Sequence, residues 1–119
     1  MAVTRVHGEH RDAKIAGEDL SNSLFYAAVV NDDGELELAG ENAKPVGFIF
    51  ETAPAGRPAT VATGGLVNAV AAGAIDAGEA VSVASDGRVV AATEEDAVAI
   101  GTARNSVTAA NQVVEVYFN

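Results

Sequence analysis

Apolar and polar positions alternate in short runs along this chain, and Gly, Asp, Asn and Pro cut the runs at nearly regular intervals. Glu35–Ala39 (ELELA), Ala80–Ser85 (AVSVAS) and Gln112–Phe118 (QVVEVYF) follow the period of two that a half-buried strand requires. Leu24–Val30 (LFYAAVV), Val46–Thr52 (VGFIFET), Ala59–Thr63 (ATVAT), Arg88–Thr93 (RVVAAT) and Val98–Asn105 (VAIGTARN) read as strands from their β-branched and aromatic content and the turn residues around them. The Ala of Leu66–Val70 (LVNAV) would permit a helix, but Gly64, Gly65 and Gly73 enclose the segment and favour a strand. About eight or nine short, evenly spaced strands predict an all-β fold, a small barrel or sandwich.

The pattern occurs twice. Asp33-Gly34 and Asp86-Gly87 lie 53 residues apart, and each follows an apolar run and precedes another. Asp-Gly supplies the positive φ that a tight hairpin turn needs. Gly47 in PVGFIF and Gly101 in AIGTAR lie 54 apart, and PATVAT falls close to QVVEVY. The chain therefore divides into two tandem, pseudo-equivalent β-units, about 14–64 and 65–119, in one domain over 14–119. A unit this small buries little of its own face, so the two are expected to close on each other. Gly34 and Gly87 are then equivalent corners related by a pseudo-two-fold. Residues 1–13 stand apart. They hold Arg5, Arg11, His7 and His10, and little periodicity follows Val6. They read as an extended N-terminal arm that orders when something ties it down.

Composition changes the picture of the core. Of the apolar residues, 25 are Ala and 17 Val, against 9 Ile and Leu together, 6 aromatics and no Trp. Burying Ala removes far less apolar area from water than burying Leu or Phe. A lone domain with such a core is marginal, so oligomerisation or docking on a larger surface is expected. The formal net charge is −10, and Lys14 and Lys44 are the only lysines. That balance argues against nucleic acid and against anionic membranes as partners. It also fits a salt-loving or GC-rich host. Cys is absent, which removes disulfides and thiolate chemistry. No charged start leads into an apolar core of a secretory signal, and GGLVNAVAAGAI is too short and Gly-rich to span a bilayer.

Candidate chemistry is thin. Both His lie in the arm, and no G-x-S-x-G elbow accompanies them. HGEH (His7–His10) lacks the helical H-E-x-x-H spacing of a zinc site. NDDGE (Asn31–Glu35) begins like a calcium loop, but its twelfth position is Asn42 rather than the bidentate Glu. Glu94–Asp96 reads as a solvated acidic loop, because acid–base catalysis needs a desolvated member. The glycines fit no phosphate-binding loop, and Arg57, Arg88 and Arg104 are dispersed. No enzymatic activity, cofactor or metal is expected. Surface, arm and repeat remain, the profile of a structural or binding module.

The second unit also carries a familiar order of motifs: AGAIDAGE (Ala72–Glu79), SDG (Ser85–Gly87), IGTA (Ile100–Ala103) and VEV (Val114–Val116). In this it resembles the small capsid decoration, or cement, proteins of tailed phages, and the resemblance runs over about residues 14–118. The first unit follows the plan more loosely, with Ser23-Leu24 where the Gly-Glu would stand. The resemblance implies a compact β-domain made in the host cytoplasm and carried on the outer surface of the virion capsid. It implies a trimer that clamps the major capsid protein lattice, with no direct nucleic acid or membrane partner. Terminal arms of the family often touch the shell, which here nominates Val3, Arg5, Val6, His7 and Arg11. β-Augmentation is one physical route for such contact. The rival reading is a virion or cell-surface module adhering to carbohydrate or protein. Sugar binding favours exposed aromatics, and Tyr26 and Tyr117 both fall inside strand patterns.

Overall fold

The structure, a computed structural model, describes residues 11–118. Every regular element there is a strand, and there are ten: β1 (Arg11–Ile15), β2 (Ala27–Val30), β3 (Leu36–Leu38), β4 (Gly47–Glu51), β5 (Pro58–Ala62), β6 (Gly65–Val70), β7 (Ala80–Val83), β8 (Val89–Ala91), β9 (Gly101–Ala103) and β10 (Val113–Phe118). They form two antiparallel sheets of five, ordered β1-β5-β4-β2-β3 and β6-β10-β9-β7-β8. Counted from the first strand of each, the two orders are identical. Register agrees as well: Ala28 opposes Gly47 where Val81 opposes Gly101, and Phe48 opposes Ala62 where Thr102 opposes Tyr117. Neither sheet closes on itself, so the arrangement is an open sandwich and not the barrel that the spacing also allowed.

The hairpin turns repeat in detail. Within Asn31–Glu35 the Asn31 N–H donates to the Glu35 carbonyl (2.8 Å) and the Gly34 N–H to the Asn31 carbonyl (3.0 Å). Within Ala84–Arg88 the Ala84 N–H donates to the Arg88 carbonyl (2.7 Å) and the Gly87 N–H to the Ala84 carbonyl (3.3 Å). Gly34 and Gly87 have φ of 78° and 87°, the left-handed region that favours glycine. Gly47 and Gly101 are needed for a different reason. A Cβ on Gly47 would lie 2.5 Å from the Ala62 carbonyl oxygen, and one on Gly101 would press on the Tyr117 carbonyl and sit 2.8 Å from Val116 Cγ1.

Three features depart from the sequence reading. β1 takes up Arg11–Ala13, residues assigned above to the arm, and pairs along its length with β5. RDAKI shows no alternation because β1 is an edge strand held by main-chain bonds, with its side chains largely in water. Leu24–Tyr26 precedes β2 as a turn, with Phe25 at φ 68°, and Val98–Ile100 is not strand either. Finally, the first unit buries a core by itself. Ala16, Leu20, Ala28, Leu36, Ile49, Ala53, Ala59 and Val61 pack together without a residue from the second unit.

The second core is shared. Its main body comes from residues 67–118, and Ala27, Ala39 and Phe48 of the first unit join it. Phe48 meets Phe118 edge to face, ring centroids 5.3 Å apart at 85°. Consecutive residues of β2 and β4 thus belong to different cores: Ala27 and Phe48 face the second unit, Ala28 and Ile49 the first. That explains why these strands read as unbroken apolar runs.

Gly47→Ala and Gly101→Ala are each expected to lower stability by about 2 kcal/mol or more. Gly34→Ala, which meets nothing within 4 Å, carries only the left-handed backbone penalty of about 1 kcal/mol. Urea unfolding of the three variants checks this ranking, and equal losses would contradict it.

Candidate functional site

Of the arm residues nominated by sequence, Val3, Arg5, Val6 and His7 lie outside the described residues, as does the whole of HGEH. Arg11 opens β1, and its guanidinium lies over the Phe50 ring, 5.2 Å from the centroid. Asp12 and Lys14 on the same strand form an exposed ion pair at 3.7 Å. Thr60 donates to the Glu51 carboxylate across the neighbouring pair (2.7 Å). With Arg11, Asp12 and Ala13 these two line an open cleft of about 310 Å³. The root of the arm is therefore a polar sheet edge of mixed charge.

The two Asp-Gly turns have one backbone shape and different surroundings. In the first, Asp32, Asp33 and Gly34 are exposed, and Asn31 Oδ1 accepts from the Asp33 N–H (2.9 Å) and the Glu35 N–H (3.0 Å). The oxygen that a cation would use is engaged in closing the turn. Among the described residues, no group of three or more Asp, Glu or His is placed to hold a metal ion. In the second, Asp86 pairs with Arg88, whose Nε and Nη2 both lie 2.9 Å from Oδ2. Arg88 Nη1 also donates to Asn111 Oδ1 (3.0 Å). The hydrogen bond from Arg88 holds the Asp86 carboxyl below its ordinary range, against the opposing effect of burial. Gly87 is buried against the first sheet: the Ala27 N–H donates to its carbonyl (2.7 Å), and a Cβ there would lie 3.3 Å from Tyr26 Cδ2. The seam is extended by the Asn42 N–H, which donates to the Val83 carbonyl (2.9 Å), and by the Val70 N–H, which donates to the Phe25 carbonyl (3.3 Å).

Sequence reasoning missed one surface. Leu66, Val113 and Tyr117 are 51%, 45% and 49% exposed. They sit on the outward face of β6 and β10, and the Arg104 guanidinium lies 4.7 Å from the Tyr117 ring centroid. The alternation in QVVEVYF places Val113, Glu115 and Tyr117 on one face but does not say that this face is the outer one. Glu94–Asp96 is exposed, as its composition implied.

Residues 26–118 match the family described as phage cement protein. No curated protein matches the chain in sequence. Among solved structures, the N base of head fibre gp8.5 of bacteriophage phi29 is similar in fold, with a TM-score of 0.72 at 20% identity, covering 92% of each chain.

Arg88→Ala is expected to return the Asp86 pKa toward its ordinary value. In the native chain the depressed pKa contributes stability that is present above the ordinary carboxyl range and lost as pH falls through the lowered value. The stability gap between native chain and variant should therefore close on acidification. NMR titration of the Asp86 carboxyl carbon reads the shift directly, and an unmoved midpoint would refute the role given to Arg88.

Proposed function

The chain belongs to the phage cement protein family, and from that premise we propose that it binds the outside of the mature head as a trimer and stabilises the major capsid protein lattice. Membership makes it a structural protein of the phage head; the outer position, the trimer and the stabilising role are the proposal. The observation that carries it is the family match over residues 26–118. The physics of the fold supports it. Beyond Phe48, Leu20, Leu36, Ile49 and Ile75, the largest fully buried side chains are all valines. Such a core leaves much of the stability to be gained by binding.

The arm is the proposed contact with the shell. Val3, Arg5, Val6 and His7 lead into Arg11, and β1 is the edge strand of its sheet among the described strands. An extended segment of the shell could add there through main-chain bonds, with Arg5 and Arg11 supplying cations on a chain of net charge −10. The adhesion reading is weaker. The one well-exposed aromatic on a strand, Tyr117, carries Arg104 over its ring and offers no clear platform for a sugar.

Purified protein added to heads that lack it is expected to raise the temperature at which they release DNA. Arg5→Glu combined with Arg11→Glu should weaken that association about tenfold, or about 1.4 kcal/mol. Heads that take up no protein, or gain no heat resistance from it, would overturn the proposal. Light scattering of the free chain tests the trimer separately.

A further inference from the structure

We propose that the outward face of the second sheet is the surface through which one copy of this chain binds another. The inference rests on the oligomeric reading above and names the face that reading leaves open.

Strand register lays the face out in rows. Leu66 opposes Tyr117, Asn68 opposes Glu115, and Val70 opposes Val113. Across β10, Tyr117 opposes Thr102, and the Arg104 N–H donates to the Glu115 carbonyl (2.7 Å), which sets Arg104 beside Glu115. Side chains alternate across a strand, so the intervening Val67, Ala69, Val114 and Val116 point into the core. The result is a polar middle row, Asn68, Glu115 and Arg104, between an apolar row of Leu66 and Tyr117 and a second of Val70 and Val113. Neither Arg104 nor Glu115 has an ion-pair partner among the described residues.

The fold does not require this pattern. At the matching places the first sheet has Arg11 for Leu66 and Ala62 for Tyr117. The Leu66–Tyr117 row is therefore a property of the second sheet, while the Val70–Val113 row has a counterpart in Ile15, 40% exposed, opposite Pro58. Tyr and Arg are also the residue types that dominate binding energy at interfaces.

Charge identifies the occupant as a second copy. Two chains of net charge −10 repel one another. They meet at least cost on a face where acids are few and each has a cation to meet. The Asp32-Asp33 turn and the Glu94–Asp96 loop fail that condition. This face holds one acid and one cation, and Arg104 of one copy can meet Glu115 of the next while the apolar rows close around them. A shell partner would be under no such self-matching constraint.

The test is light scattering on the full chain, with head binding as a second readout. Leu66→Ser with Tyr117→Ser should convert the oligomer to monomer and leave the far-UV spectrum unchanged. Arg104→Glu and Glu115→Arg should each weaken association at least tenfold. Combining the two substitutions in one chain should restore it, because every interface then regains an opposite-charge pair. A native chain that is monomeric at all concentrations would overturn the oligomeric reading and this inference with it. A native oligomer that survives every substitution would overturn this inference alone. Variants that stay oligomeric but no longer bind heads would assign the face to the shell and overturn it as well.

Discussion

The contact between Phe48 and Phe118 is the one on which the joining of the two units depends. In a chain whose interior is mostly Ala and Val, two aromatic rings meet edge to face between the sheets. The residues around them are small for a reason. Ala27 and Ala39 let the first sheet come close, and Gly87 lets the second unit's turn press its carbonyl onto the Ala27 N–H. Large side chains at these places would hold the sheets apart and leave the rings without a partner. Low Leu and Ile content is thus part of how the seam closes, while it also limits how much free energy burial can supply.

The two sheets share a strand order but not a fate. The first is buried on both faces along β2 and β4, one against its own covering loops and the other against the second unit. The second is buried on one face and exposed on the other along β6 and β10. Phe48 corresponds in register to Thr102, and Ala62 to Tyr117. The turns diverge in the same sense, Gly87 buried in the seam and Gly34 in water. A duplicated unit has therefore given one sheet the work of joining and left the other with β6 and β10 facing outward. The cement family supplies the setting in which such a surface has a use.

Much of this was legible in the sequence because turns and periodicity are local. Asp33-Gly34, Asp86-Gly87, Gly47 and Gly101 located the repeated corners, and alternation located β3, β7 and β10. β1 was not legible: an exposed edge strand is held by backbone bonds to β5, and RDAKI carries no trace of them. The positive φ of Phe25 was hidden too, since an aromatic gives no warning of a left-handed turn. Nor could one chain reveal which face of QVVEVYF is wet. That depends on what packs behind Val114 and Val116, a question decided tens of residues away.

The division of cores has a consequence for synthesis on the ribosome. By the time residue 62 has left the exit tunnel, the first sheet has every strand it needs, and its private core asks for nothing further along the chain. The second sheet is born beside that finished surface, where Phe48 and the Ala27 N–H already stand in place. Translation then runs in the same direction as assembly, and the half that docks is made after the half that receives it.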